Sequence, residues 1–193
     1  MKIEEYLKIL HTAEKLKNQT RHCYTSAGRH ESVAEHSWRL TLMACFLKDE
    51  FPEADLDRVI RMCIFHDIGE IFTGDIPAFE KKEEHERVEE ERIQAWISSL
   101  PAPYEEEIRA LFLEMEEQKT LEAKIYKALD RMEAVIQHNE SDISTWLPLE
   151  YDLNMHYGER EVQFSDFMGR LKEAVNRETA EKIERGEKEK LSG

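Results

Sequence analysis

Apolar residues recur at three- and four-residue spacing along most of the chain, which is the pattern of amphipathic helices. Residues 3–17 show it first, and residues 18–31 then lose it and are predicted to form a loop. Ser32 stands three positions before Glu35, the spacing of a capping box. The apolar run that follows predicts a buried helix through Leu47.

The same spacing continues downstream, interrupted by glycine and proline. Helices are predicted over about residues 55–70, 80–99, 105–116, 121–138 and 159–184. The tail 185–193 is rich in Glu and Lys and is expected to be frayed and solvated. The fold class is therefore predicted to be all-α, with about six or seven helices in a single domain over 1–193, whose core spans about 21–139.

Composition narrows the possible partners. Acidic residues outnumber basic ones, 42 to 27, and no block of Lys or Arg is long enough to follow a nucleic-acid backbone. The longest apolar run, residues 42–47, is far shorter than the about 20 residues of a membrane span, and the acidic N-terminus does not resemble a signal peptide. Three cysteines offer no disulfide framework. We expect a cytoplasmic protein with neither a nucleic-acid nor a membrane partner.

Two metal-competent side chains, His66 and Asp67, are adjacent within the largely apolar segment 62–70. Burying them without partners is costly, and a metal ion would satisfy both. His36 and Asp130 are further candidates, because each stands among apolar residues of a predicted helix. One such histidine is more often a hydrogen-bonded core residue, but the four together offer two nitrogens and two oxygens. That set suits a divalent ion with positions left open for water and substrate.

A His, a His-Asp pair and a distant Asp, in this order, resemble the HD-domain metal-dependent phosphohydrolases. Residues 66–77, His-Asp-Ile-Gly-Glu-Ile-Phe-Thr-Gly-Asp-Ile-Pro, are similar to the branch containing the bacterial 5′-deoxynucleotidase and human HD-domain-containing protein 2. The resemblance covers about residues 21–130 and continues more weakly to the last helix. It implies an HD domain that forms a homodimer and holds one divalent metal on His36, His66, Asp67 and Asp130.

The resemblance also assigns roles around the metal. Glu70 and Asp75 match residues that serve the chemistry, and Arg21 matches an arginine that contacts phosphate. Glu70 comes three residues after Asp67, so on a continuing helix it would share that face and take a proton from the attacking water. The implied reaction releases phosphate from (deoxy)nucleoside 5′-monophosphates, with the metal polarising the phosphoryl group and activating water.

Two features refine this expectation. His22 stands where the bacterial 5′-deoxynucleotidase has a tryptophan that helps to exclude a 2′-hydroxyl, so strict deoxyribose selectivity is not implied. HD phosphodiesterases with two metals have three more histidines before the last Asp, whereas only His85 lies between Asp67 and Asp130. One ion is therefore expected, and Mn, Co, Zn, Fe and Mg all remain open. The other histidines interpreted as surface or packing residues are His11, His30, His138 and His156.

Two alternatives remain. An HD hydrolase of a nucleoside triphosphate or an alarmone-like pyrophosphate would need more basic residues around its pocket than the sequence offers. The candidates are Arg21, Arg29, Lys81 and Lys82. A helical module that binds a metal or a nucleotide without turnover is the second alternative, and the presence of Glu70 and Asp75 argues against it.

Overall fold

The computed structural model describes residues 1–77 and 79–192, with only the backbone at 190 and 192. In chain order this part contains α1 (Ile3–Glu14), β1 (Thr20–Tyr24), β2 (His30–Ser32), α2 (Val33–Cys45), α3 (Leu56–Phe65), α4 (Glu70–Thr73), α5 (Glu83–Ile97), α6 (Tyr104–Glu117), α7 (Leu121–Glu140), α8 (Glu150–His156) and α9 (Asp166–Ser192). The all-α class is confirmed. Seven of these helices span ten residues or more, as expected, and α4 and α8 are the short additions.

Helix α7 lies at the centre of the main core. It packs against α2, α3, α6 and α9, and it also contacts β1. Thr120 begins α7 by accepting a hydrogen bond from the backbone of Ala123, and the fully buried Ile125, Leu129 and Met132 follow at helical spacing. This arrangement fixes one face of α7 against the ends of α2 and α3, where the candidate metal ligands lie.

Helix α2 begins as predicted. The Ser32 hydroxyl accepts a hydrogen bond from the Glu35 backbone at 3.3 Å, and the Glu35 carboxylate accepts one from the Ser32 backbone at 2.9 Å. This reciprocal pair satisfies two backbone donors that the first turn would otherwise leave free. It also fixes the start of the helix that carries His36.

The segment 18–31, predicted as a loop, contains most of an antiparallel hairpin. Thr20 pairs with Ser32 and Tyr24 with His30, and the turn closes with Gly28 at a φ of 78°. The strands are short and polar, so they lack the alternating apolar pattern that reveals a strand in a sequence. The hairpin carries Arg21 and His22 to the site.

The helix predicted over about 55–70 ends at Phe65, so the expectation that one continuing helix joins Asp67 to Glu70 is wrong. Residues 66–69 form turns, and α4 begins at Glu70. A Cβ atom at Gly69 would lie only 2.5 Å from Ile93 Cδ1. The close approach of this turn to α5 therefore sets the direction in which α4 begins at Glu70.

The C-terminal boundaries also differ from the prediction. Helix α9 begins at Asp166 rather than near 159, and it continues to Ser192 through the tail that we expected to be frayed. Its exposed end is rich in Glu and Lys, which are good helix formers, and Lys188 pairs with Glu184 one turn earlier at 2.6 Å. Helix α8 was not predicted.

None of the helices in the described part of the chain is long and apolar enough to cross a membrane.

Candidate metal centre and its cavity

The four predicted metal ligands converge where α2, the end of α3 and α7 meet. His36 Nε2 lies 3.2 Å from His66 Nε2. It also lies 3.7 Å from Asp67 Oδ2 and 3.4 Å from Asp130 Oδ1. His66 Nε2 is 3.0 Å from Asp67 Oδ2 and 3.8 Å from Asp130 Oδ1. Donor atoms at these separations can surround one ion at ordinary bond lengths of about 2.0–2.2 Å.

The orientation of the two imidazoles fits a metal. His66 Nδ1 donates to the carbonyl of Cys63 at 2.9 Å, and His36 Nδ1 donates to the carboxylate of Glu133. With Nδ1 engaged in this way, both Nε2 atoms face the same point, and an ion bound there would take the place of any proton on them. An Nδ1 hydrogen bond to a carbonyl or carboxylate is the usual support of a metal-binding histidine.

The two aspartates carry the charge that a divalent ion requires. Burial would raise the pKa of Asp67, but His66 and His36 outweigh it and lower that pKa to about 2. Burial acts on Asp130 as well, yet Lys127 and His36 hold the pKa of Asp130 well below its usual range. Lys127 Nζ donates to Asp130 Oδ2 at 2.9 Å, which leaves Oδ1 for the centre. Both carboxylates are therefore ionised near neutral pH.

Glu70 lies beside this centre with an unused oxygen. Only 7% of the residue is exposed, and its Oε2 has no hydrogen-bond partner among the described residues. Burial, with Asp67 and Asp75 nearby, raises the pKa of Glu70 to about 11, and a divalent cation would oppose this rise. Asp75 accepts a hydrogen bond from the His22 backbone at 3.3 Å. Gly74, at a φ of 76°, turns the chain just before Asp75.

Arg21 is held at the wall of the same cavity by buried acids. Its Nη1 donates to Glu31 at 2.9 Å and to Glu133 at 3.1 Å. Both hydrogen bonds that the guanidinium makes within the described part of the chain come from this one nitrogen. The rest of the guanidinium fork is left for an anion such as phosphate.

One cavity of about 410 Å³ joins these groups. Six predicted site residues line it, namely Arg21, His22, Asp67, Glu70, Asp75 and Asp130. His36 is almost fully buried and lies behind this wall with His66. The cations Lys81, Lys127 and Arg131 also line the cavity. The last two were missed, although Lys127 comes three residues before Asp130 and Arg131 directly follows it.

His138, interpreted from the sequence as a surface or packing residue, also lines the cavity together with Glu150. Glu150 Oε1 lies 3.0 Å from His22 Nε2 and 2.9 Å from His138 Nε2. The sequence carried a signal for His138, which follows Asp130 by two helical turns on one face of α7. It carried none for Glu150, whose short helix lies far along the chain.

The family model described as "HD domain" matches residues 13–172. Human 5′-deoxynucleotidase HDDC2 is 36% identical over 119 residues, which cover 61% of this chain and 57% of the human protein. This chain thus matches little more than half the length of that relative. The Dictyostelium discoideum protein of the same name is 29% identical over 175 residues, covering 86% of this chain and 87% of its own. A predicted metal-dependent phosphohydrolase from Magnetospirillum magnetotacticum MS-1 has a crystal structure similar to this one, with a TM-score of 0.78, 27% identity and coverage of 95% and 94% of the two chains.

Proposed function

Because the chain belongs to the HD domain family, we propose that it is a metal-dependent phosphohydrolase that releases phosphate from (deoxy)nucleoside 5′-monophosphates. The convergence of two imidazoles and two ionised carboxylates beside the unpartnered oxygen of Glu70 is the observation that carries this proposal. The human and Dictyostelium relatives named 5′-deoxynucleotidase support the substrate class.

The metal would be held by His36, His66, Asp67 and Asp130. When bound there, a divalent ion supplies a Lewis acid that polarises the phosphoryl group and activates water. The mixed nitrogen and oxygen set accepts Mn, Co, Zn, Fe or Mg, so the physiological metal depends on availability.

The remaining steps belong to side chains of this protein. Arg21 binds the phosphate through the part of its guanidinium that its acidic partners leave open. Glu70 takes the proton of the attacking water, because its Oε2 is unpartnered and the residue lines the same cavity as Asp67 and Asp130. Asp75, a second carboxyl group on the cavity wall, returns a proton to the departing 5′-oxygen of the nucleoside.

His22 lies where the nucleoside would bind. Its ring meets the edge of Phe79 with centroids 5.8 Å apart, and both residues line the cavity. An imidazole is smaller than an indole, so a 2′-hydroxyl meets less steric exclusion here than it would beside tryptophan. The enzyme is therefore proposed to accept ribonucleotides as well as deoxyribonucleotides.

The test is phosphate release from deoxy- and ribonucleoside 5′-monophosphates by metal-stripped protein, with and without added Mn²⁺ or Co²⁺. Nucleoside 3′-monophosphates serve as matched controls. Metal-dependent release from the 5′ isomers supports the proposal, and the deoxy-to-ribo ratio measures the effect of His22. If protein shown to bind metal releases no phosphate from any of these compounds, the chain would instead be a binding module without turnover.

A nucleoside triphosphate or a pyrophosphate is the second candidate substrate, because Lys81, Lys127 and Arg131 also line the cavity. Two of these cations already have acidic partners. Lys81 pairs with Glu89 at 2.6 Å and Lys127 with the ligand Asp130 at 2.9 Å. A monophosphate, which needs fewer free cations, fits better. Release of triphosphate or pyrophosphate, rather than orthophosphate, would reverse this preference.

We also propose that the chain forms one HD domain over 1–193 that acts in the cytoplasm as a homodimer. Helix α2 and its C-cap residue present an apolar stripe, with Trp38 66%, Leu42 42% and Phe46 78% exposed. Such a stripe suits self-association. Light scattering should show a dimer that Phe46→Glu converts to a monomer, whereas Leu113→Glu, at an exposed leucine of α6, should not. A monomeric unmodified protein would contradict the proposal.

A further inference from the structure

A second group of metal-competent side chains lines the cavity, separate from the four-ligand centre. It consists of His22 on β1, His138 in the last turn of α7 and Glu150, the first residue of α8. Their ligand atoms lie within 4.8 Å of one another. Glu150 is 2% exposed, and both imidazoles approach the same oxygen of its carboxylate.

The orientation of His138 resembles that of His66 in the first centre. His138 Nδ1 donates to the carbonyl of Ala134 at 2.8 Å, and a carbonyl can only accept. A neutral ring then directs its Nε2 lone pair at Glu150 Oε1, 2.9 Å away. Either a proton or a metal ion must lie between these two atoms, and His66 uses the same Nδ1-to-carbonyl bond.

The surrounding chain holds the group in place. Glu150 Oε2 accepts a hydrogen bond from the Leu147 backbone at 2.7 Å. The Trp146 indole packs edge-on against His138, with ring centroids 5.9 Å apart, and donates to the His138 carbonyl at 3.0 Å. The side chains are therefore fixed before any ligand arrives, which lowers the cost of binding an ion.

A buried amide with an unpartnered donor lies at the same wall. Asn154 is one helical turn after Glu150, so it shares that face of α8. It is 4% exposed and lines the cavity, and its Nδ2 has no hydrogen-bond partner within the described residues. This N–H needs an acceptor, which a water molecule bound to an ion in the cavity could supply.

We propose that His22, His138 and Glu150 form a second divalent-cation site, with its remaining positions open to the cavity. Two imidazole nitrogens and one carboxylate suit Zn²⁺, Co²⁺ or Mn²⁺, and three protein ligands leave room for water or a cavity ligand. This site goes beyond the proposed activity and makes two ions per chain. The cluster of Glu31, His36 and Glu133 is different, because Arg21 already supplies its cation.

The test counts metal ions in the metal-stripped full chain after dialysis against Co²⁺. The unmodified protein should hold two ions, and Glu150→Gln and His22→Asn should each hold one. Asp67→Asn should also hold one, and Asp67→Asn with Glu150→Gln should hold none. His156→Asn is the matched control, because this exposed histidine pairs only locally with Glu159 and Asp152, and it should keep two.

One ion in the unmodified protein, removed by Asp67→Asn, would overturn the proposal and make the cluster a hydrogen-bonded network. Two ions that persist in both Glu150→Gln and His22→Asn would overturn it as well. If Glu150→Gln fails to fold by circular dichroism, His22→Asn still decides, since its side chain is 26% exposed. The count needs no substrate, so it is independent of the proposed phosphohydrolase activity.

Discussion

The Nε2 atoms of His36 and His66 face each other at 3.2 Å, and each ring has its Nδ1 engaged elsewhere. The carboxylate of Glu133 fixes one ring and the Cys63 carbonyl fixes the other. Both Nε2 atoms therefore already face one point before an ion binds. Metal affinity should depend on these supporting bonds as well as on the ligands themselves.

Asp130→Ala should release the ion of the four-ligand centre. The substitution removes an oxygen ligand and leaves the half-buried Lys127 ammonium without its partner beside the imidazoles. We expect affinity for Co²⁺ at this centre to fall by at least about tenfold, measured by calorimetry. Asp152→Ala, at a carboxylate 90% exposed, is the control. An unchanged metal stoichiometry and affinity would remove Asp130 from the ligand set.

Glu70→Gln should keep the metal and lose turnover. The amide preserves size but cannot take a proton, so kcat should fall by about 10²–10⁴-fold while metal content stays constant. Glu83→Gln, at an exposed residue of α5, should change neither quantity. Loss of metal together with activity would instead make Glu70 a ligand or a structural residue.

Arg21→Lys should weaken phosphate binding. Lysine keeps the charge but lacks the planar fork, so it cannot both pair with Glu133 and contact two phosphate oxygens. We expect KM and the inhibition constant of inorganic phosphate to rise about tenfold, as for the loss of one charge-assisted hydrogen bond. Arg61→Lys, in an exposed pair with Glu107, is the matched control. Equal effects in both variants would exclude a specific phosphate contact.

Gly69→Ala and Gly169→Ala should change stability in opposite directions. A methyl group at Gly69 would meet Ile93 Cδ1 at 2.5 Å, which should cost about 1–3 kcal/mol. At Gly169, within α9, nothing lies within 4 Å, so alanine should add about 0.5–1 kcal/mol. Urea unfolding of both variants measures this. A stabilised Gly69→Ala would show that the turn does not depend on its contact with α5.

Lys172 should make stability depend on pH. Burial lowers the pKa of Lys172 from 10.5 to about 8, and its Nζ donates to the Asn154 carbonyl at 3.2 Å. The unfolded chain binds this proton more tightly, so the contribution of Lys172 to stability is unfavourable below pH 8 and improves as the pH rises toward 10.5.

Lys172→Met should therefore stabilise the protein at pH 7 by roughly 2 kcal/mol, with a smaller gain at pH 9.5. Urea unfolding at the two pH values tests this, with Lys124→Met on the exposed face of α7 as control. A gain that is the same at both pH values would show that apolar packing, not the proton, is responsible.

The sequence could predict features that depend on the spacing of nearby residues or on the order in which the family's motif residues occur. The Ser32–Glu35 capping box is a property of four consecutive residues, and the proposed ligands His36, His66, Asp67 and Asp130 follow the order of the family. It could not predict relationships that tertiary packing creates. The turn after Phe65 depends on how closely Gly69 approaches Ile93.

The second cluster was missed for the same reason. His22 stands 128 residues before Glu150, and only the folded chain brings it to His138 and Glu150. The hairpin that carries His22 has no apolar alternation to reveal it. Residues that come together only in the folded chain, and that belong to no known motif, cannot be recognised as a cluster from one sequence.

Glu133 joins the two halves of the candidate site through one carboxylate. It accepts hydrogen bonds from His36, Arg21 and Arg39, while it is itself fully buried. The metal side and the phosphate side therefore share one carboxylate. A double-mutant cycle across His36 and Arg21 should be non-additive, since whatever loosens one cation changes how strongly Glu133 holds the other.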